Sequence, residues 1–155
     1  MQIIVDADAC PKLIKQILYR AAEKANINLT MVANTHIRTP SNPLFKSVKV
    51  PLAFNEADDR IIELVGAGDL VITADIPLAD RVIKKKAFAL NPRGEFYDGN
   101  NIGERLAMRD LIAELRNGGL ESGGPDQLSK KDRERFANSL QKFLYGLQKS
   151  GADKV

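Results

Sequence analysis

The chain opens with MQIIVDADAC at positions 1–10, where a short apolar run leads directly into two carboxylates, Asp6 and Asp8. Pro11 then opens a strongly helical stretch. A buried carboxylate without a partner is strongly disfavoured, so acids that end a buried strand are expected to bind something. In open α/β sheets, ligands lie at the carboxyl ends of the strands. This stretch therefore predicts a strand that ends in a metal or phosphoryl-transfer site.

The rest of the chain alternates strand and helix patterns in the way that α/β proteins do. We predict a three-layer fold with a central, mostly parallel sheet of about five strands flanked by helices. Two C-terminal helices pack on this sheet, and residues 118–128, with four glycines, form an exposed loop between them. The predicted strands are 2–6, 28–33, 47–50, 69–73 and 87–90, and the predicted helices are 11–25, 56–66, 77–86, 101–117 and one from 129.

Size and composition narrow the class of protein. The 155 residues predict one domain over 1–149, with a flexible tail at 150–155. No apolar run is long enough to cross a membrane, and the start lacks a secretory signal pattern. Cys10 is the only cysteine, which fits a reducing, cytoplasmic setting. The net charge of +3 is too small to indicate nucleic-acid binding by itself, and the oligomeric state stays open.

Acids recur where the predicted strands end or helices begin. Asp58 and Asp59 open the second helix, and Asp75 follows the fourth strand. If the first and fourth strands are neighbours, Asp6 and Asp75 meet at one edge of the sheet, and Asp58 can complete the cluster. Oxygen ligands suit Mg²⁺ or Mn²⁺, and such an ion removes the repulsion between carboxylates.

Each acid also has a purely structural interpretation. Asp8 could cap the helix that begins near Pro11, and Asp75 could cap the helix at Ile76. At least one residue of the Asp58–Asp59 pair is expected only to complement the positive end of its helix. Asp69 precedes its strand, at the wrong end for the site, and is interpreted as a turn residue.

Basic residues supply candidate phosphate contacts. Arg105 and Arg109 share one helical face, Arg93 lies on the turn after the fifth strand, and Lys85 lies at the end of the third helix. Such a set can neutralise phosphates. The alternative is a solvated helix face paired with nearby acids, together with a helix C-terminus that complements its dipole.

Two other reactive residue types carry less weight. Cys10 lies near a helix start, which can lower a thiol pKa, but no catalytic partner surrounds it and a buried filler is favoured. His36 is the only histidine and lies in a polar loop, so a zinc site is not expected.

Four segments resemble the bacterial YaiI/YqxD family and follow the family order along nearly the whole chain. They are VDADACP at 5–11, GDLVITADIPLA at 68–79, ALNPRG at 89–94 and GGP at 123–125. The family is similar to PIN and NYN nuclease-like domains, which implies a PIN-like α/β fold and an acidic cluster that binds Mg²⁺ or Mn²⁺.

Three acids match the PIN pattern residue by residue. Asp6 matches the acid that ends the first strand, Asp58 the Asp-x-x-Ile helix start, and Asp75 the Thr-x-Asp strand end. The resemblance therefore implies that Asp6, Asp58 and Asp75 hold the metal. A further acid of many PIN domains has no clear match here, since Glu23 comes late in the first helix, and Asp8 is the candidate substitute.

Three functions follow from these observations. The leading one is a metal-dependent nuclease or phosphodiesterase that acts on RNA or DNA through Asp6, Asp8, Asp58 and Asp75. The second is a catalytically inactive PIN-like module that binds nucleic acid or protein. The third is a phosphatase of the haloacid dehalogenase type, in which Asp6 is the nucleophile and Asp8 the acid/base. The paired acids at 58–59 come too early in the chain for this third class.

Overall fold

A computed structural model describes residues 1–53, 55–117 and 128–153. Its strands are β1 (Gln2–Asp6), β2 (Asn28–Ala33), β3 (Phe45–Lys49), β4 (Leu70–Ile72), β5 (Phe88–Leu90) and β6 (Phe96–Tyr97). Its helices are α1 (Lys12–Ala25), α2 (Glu56–Leu64), α3 (Ile76–Lys84), α4 (Ile102–Asn117) and α5 (Lys130–Asp153), and a 3-10 turn spans Ala7–Ala9. Most of the predicted loop at 118–128, and the last two residues of the predicted tail, lie outside the described residues.

The strands form one sheet in the order β3-β2-β1-β4-β5-β6. The first five strands of that order run parallel, and β6 runs antiparallel to β5. The predicted neighbours β1 and β4 are indeed paired. The sheet contains β6 in addition to the five predicted strands. Strand β6 has only two residues and therefore shows no strand periodicity in the sequence.

Helices cover both faces of the sheet and give the predicted three layers, consistent with a PIN-like fold. Alternate residues of a strand point to opposite faces. Ile3 and Val5 accordingly pack in the core with α1 and α5. Ile4 packs in the other core, with α2, α3 and the start of α4. Strand β1, apolar on both faces, is therefore buried at the centre of the molecule.

The last helix is held by the contacts that its sequence predicts. The Ser129 hydroxyl accepts a hydrogen bond from the Asp132 backbone N–H at 3.1 Å, and the Asp132 carboxylate accepts one from the Ser129 N–H at 3.0 Å. This reciprocal pair is a capping box. Phe136, Leu140 and Leu144 of the predicted apolar stripe are buried in the core with α1.

Asp69, predicted to be a turn residue, fastens the start of β1. Its buried carboxylate accepts hydrogen bonds from the Gln2 backbone N–H, the Gln2 side-chain amide and the Gly66 N–H. These contacts lie at the amino ends of the strands, opposite the edge that carries Asp6. Asp69 therefore serves the fold and lies away from the candidate site.

Gly94 is where the turn after β5 meets α5. Its φ of +87° suits glycine, and a Cβ there would lie 2.6 Å from the backbone carbon of Arg135. We expect Gly94→Ala to lower the free energy of unfolding by about 2 kcal/mol, because it combines a left-handed backbone with overpacking. Chemical denaturation measures this loss. Gly99→Ala is the control, since nothing lies within 4 Å of its added Cβ, and equal losses in both variants would contradict the prediction.

Among the residues that the structure describes, no helix is both long enough and apolar enough to cross a bilayer.

Candidate active site

Asp6 lies at the carboxyl end of the central strand and faces the α2–α3 side of the sheet. Its direction follows from strand alternation, since Ile4, two residues earlier, packs against α2 and α3. The residue is buried, with 9% of its surface exposed. A carboxylate is thus placed at the position where ligands of open α/β sheets bind.

Thr73 links Asp6 to Asp75 across the β1–β4 pair. Its hydroxyl donates a hydrogen bond to Asp6 Oδ2 at 3.0 Å and accepts one from the Asp75 backbone N–H at 3.0 Å. Thr73 is itself buried. The sequence indicated Thr73 only as part of a strand and a motif, and the Thr-x-Asp spacing was the signal that could have identified this contact.

Asp75 is the N-cap of α3, as one of its two interpretations predicts. Its Oδ1 accepts a hydrogen bond from the Leu78 N–H at 3.0 Å. Its other carboxylate oxygen accepts no hydrogen bond from the described part of the chain. Capping and ligand binding are therefore compatible, because each can use a different oxygen.

Asp58 and Asp59 open α2 but have different surroundings. Asp59 forms an exposed ion pair with Arg81 at 3.0 Å. Asp58 is half-buried, and its pKa is raised first by that burial and then by Asp75, while Arg81 lowers it. Asp58 is therefore the member of the pair that faces the other acids. The position of Arg81 beside these acids was not predicted from the sequence.

The negative charges of the neighbouring acids act on Asp6. The pKa of Asp6 is raised to about 6, chiefly by burial; the Thr73 hydrogen bond lowers it, and the charges of Asp58, Asp75 and Asp8 add to the rise. A cation bound beside Asp6 would remove this cost. We call Asp6, Asp58, Thr73 and Asp75 the acidic site.

Asp8 does not cap α1, so that alternative is wrong. The N-cap is Pro11, which makes no side-chain cap, because the 3-10 turn Ala7–Ala9 separates Asp8 from the helix. Asp8 is exposed, and its Oδ2 accepts a hydrogen bond from the Asn34 N–H at 2.9 Å, just beyond β2. Its carboxylate therefore turns toward the β2 side of the strand edge.

A hard cation at the acidic site would have at most two carboxylates as direct ligands. Across residues 1–53, 55–117 and 128–153, no three His, Cys, Asp or Glu side chains are grouped to hold an ion together. Mg²⁺ commonly takes one or two carboxylates and keeps several waters. Asp6 and the open oxygen of Asp75 suit that arrangement, with Asp58 acting through water.

Arg93 and its turn contact the last helix. Arg93 forms an ion pair with Asp132 at 2.8 Å, and the Ser139 hydroxyl donates to the Gly94 carbonyl at 2.7 Å. Both contacts hold α5 against the β5–β6 turn. The Asn-Pro-Arg-Gly sequence of this turn therefore has a structural role. A phosphate contact by Arg93 stays a prediction.

The other predicted phosphate contacts also have partners within the chain. Arg105 pairs with Glu95 at 2.6 Å and lies over the ring of Tyr97 at 5.0 Å. Arg109 makes a longer, exposed contact of 3.5 Å with the neighbouring Asp110. Lys85 Nζ donates to a backbone carbonyl of α2 at 2.7 Å. Their roles toward substrate stay predictions.

Tyr97 of β6 lies close enough to the acidic site for the charge of Asp75 to act on it. The residue is buried, burial raises the pKa of its phenol, and Asp75 raises it further. A hydrogen bond with Asn91 lowers that pKa. The two-residue strand β6 is what brings this ring beside the strand ends, so periodicity alone could not have placed it.

Cys10 and His36 match their structural interpretations. Cys10 is buried, and burial raises the pKa of its thiol to about 12, so it is not an activated nucleophile. His36 is exposed in the loop after β2.

Comparison with known proteins assigns the family. The model of a family described as "Uncharacterized BCR, YaiI/YqxD family" matches residues 4–146. The chain belongs to the YaiI/YqxD family. This confirms the resemblance drawn from the four sequence segments, and the matched range includes every residue of the acidic site.

Curated relatives are similar to this chain over nearly their full length. A "UPF0178 protein" of Shewanella amazonensis is 54% identical over 149 residues, which are 96% of this chain and 100% of the relative. A UPF0178 protein of Burkholderia lata is 54% identical over 144 residues, 93% of this chain and 96% of the relative. One of Maridesulfovibrio salexigens is 52% identical over 144 residues, 93% and 95% of the two chains. No solved structure matches the chain.

Proposed function

We propose that this YaiI/YqxD protein is a Mg²⁺- or Mn²⁺-dependent phosphodiesterase that cleaves RNA or DNA at the acidic site. One observation carries the proposal. The carboxyl group of Asp6 is buried at the end of the central strand, its pKa is raised to about 6, and the neighbouring charges that perturb it are all carboxylates. Such an arrangement lowers the stability of the fold, and carboxyl groups whose pKa is strongly shifted are typical of functional sites.

Each residue of the acidic site has a different role in the proposed reaction. When bound, the ion would supply charge stabilisation at the phosphate and a more acidic water. Asp6 and Asp75 hold that ion, and Thr73 fixes the orientation of Asp6 through its 3.0 Å hydrogen bond. Asp58 is half-buried with a raised pKa, so it reaches solvent and accepts a proton from attacking water more readily than an ordinary Asp.

The position of Asp8 favours this chemistry over phosphatase chemistry of the haloacid dehalogenase type. That mechanism needs Asp8 beside Asp6 as acid/base. Asp8 is exposed, and its Oδ2 accepts the Asn34 N–H at 2.9 Å. Thr73 and Asp75 are the groups that hydrogen bonds tie to Asp6.

A substrate panel tests the proposal. Purified protein is incubated with structured RNA, single-stranded DNA and p-nitrophenyl phosphate, each with Mg²⁺, Mn²⁺ or chelator. We expect cleavage of at least one polynucleotide that the chelator abolishes, with no turnover of the monoester. Monoester turnover would favour the phosphatase. Polynucleotide binding without cleavage under any condition would favour the inactive binding module.

A further inference from the structure

A groove between α1 and α5 lies on the surface away from the acidic site. It has a volume of about 600 Å³ and lies on the face of the sheet opposite α2 and α3. Its lining on α1 runs from Leu13 to Ala25, which corresponds to a length of about 18 Å at the rise of an α-helix. The floor is aliphatic and includes Ile17, Leu140 and Leu144.

Large apolar side chains stay exposed along this groove. Leu13 of α1 is 46% exposed and Tyr145 of α5 is 66% exposed. Contiguous exposed apolar surface with a polar rim is typical of interaction sites. Tyr145 combines an apolar ring with a polar tip, which is the kind of side chain enriched at protein interfaces.

The rim of the groove is basic. Arg20, Lys24 and Arg133 line the groove, and none of the described acidic residues does. None of these three cations forms an ion pair with an acid in the part of the chain that the structure describes. The groove therefore suits a partner that is apolar on one face and negatively charged beside it.

The cations are spread along the groove. Helix α5 passes Gly94 near its start, at the carboxyl edge of the sheet, and its Phe143 contacts Phe88 edge to face where β5 begins. Helix α1 also starts at the carboxyl edge, after β1, so the two helices run in the same direction. Arg133 consequently lies near the first turn of α1, while Lys24 lies near its last.

This spacing decides between classes of occupant. A fatty acid carries one anionic headgroup and would leave two cations beside its hydrocarbon tail. A nucleic-acid backbone would bring phosphates against the aliphatic floor. A helix with an apolar stripe and acidic flanks would place apolar side chains on the floor and carboxylates beside all three cations. We propose that the α1–α5 groove docks an acidic amphipathic helix of a partner protein.

A designed peptide tests the proposal. The probe is a fluorescent 14-residue helical peptide with Leu at positions spaced i, i+3, i+4 and i+7 and Glu on both flanks. One control peptide has Lys in place of Glu, and another has the same composition with its stripe scrambled. Fluorescence anisotropy with the full chain should show binding of the acidic amphipathic peptide, and at least about tenfold weaker binding of both controls.

Variants then locate the binding. Arg20→Glu with Lys24→Glu, and separately Arg133→Glu, should each weaken binding at least about tenfold. Lys142→Glu, an exposed α5 position outside the groove, should leave the affinity unchanged. Tyr145→Ala should weaken binding without affecting the fold, because most of that side chain is exposed. Unchanged thermal melting of each variant confirms that the fold persists.

Several outcomes would overturn the docking proposal. The first is no binding of the acidic peptide, and the second is equal binding of the scrambled one. A loss in Lys142→Glu as large as in Arg133→Glu would indicate non-specific attraction. Displacement of the peptide by a 14-nucleotide single-stranded DNA or by oleate at lower concentration would assign the groove to nucleic acid or lipid instead.

Discussion

Replacing Asp75 with Asn is expected to lower metal-dependent phosphodiester cleavage at least about 100-fold. Changes to groups that merely support a metal ligand cost up to that much, so the loss of a ligand should cost no less. The substitution spares the fold, because Asn is also a good N-cap and its carbonyl oxygen can still accept from the Leu78 N–H. Initial cleavage rates at saturating Mn²⁺, with thermal melting alongside, measure the effect.

The adjacent acids of α2 supply a matched control for this loss. Asp58→Asn should reduce cleavage strongly, because Asp58 belongs to the acidic site, where the charge of Asp75 raises its pKa. Asp59→Asn should keep the wild-type rate, since it removes only an exposed ion pair with Arg81. Equal losses in the two variants, or full activity in Asp75→Asn, would contradict the assignment of the metal ligands.

Replacing Asp6 with Asn should stabilise the metal-free protein by up to about 3 kcal/mol at pH 7.5. The pKa of Asp6 is raised from 3.8 to about 6, and each pKa unit corresponds to about 1.4 kcal/mol. A raised pKa means that ionisation favours the unfolded chain. The penalty is absent below about pH 4, grows as the pH rises through 6, and is complete above that value.

Denaturant unfolding in chelator between pH 4 and 8 measures this difference. The advantage of Asp6→Asn over wild type should vanish at the acid end, and Asp110→Asn, at an exposed carboxylate, should show no such trend. Mg²⁺ or Mn²⁺ at about 100 times its dissociation constant should then stabilise wild type by about 2.7 kcal/mol and Asp6→Asn far less. A wild-type protein that gains stability between pH 5 and 7 in chelator would refute the burial argument.

Local pattern was sufficient for most of the fold. Five strands and all five described helices fall close to their predicted positions, because apolar β-branched runs bounded by Gly, Pro and Asn carry their own signal. Strand β6 was missed because its two residues have no period and depend on pairing with β5. The capping box of α5 was found because its two partners lie three residues apart.

Some features of the candidate site could likewise be predicted from local sequence, and others could not. Acids at strand ends and the cap on α3 could be predicted, because each depends on a few neighbouring residues. Local sequence left a helix cap open as one role of Asp8, because neither the intervening 3-10 turn nor the Asn34 N–H, which lies 26 residues away in the chain, could be predicted from it. Arg93 is joined to Asp132, 39 residues along the chain, which no motif could indicate.

The first ten residues thus determined by themselves that a buried strand ends in carboxylates, since apolar period and charge are properties of adjacent side chains. Only the tertiary structure decided what those carboxylates meet. Placing β4 beside β1 brings Thr73 and Asp75 to Asp6 across 67 residues of sequence, and burial then raises the pKa of Asp6. Desolvation and Coulomb repulsion depend on distance in space, so they emerge only when the strands take their order in the sheet.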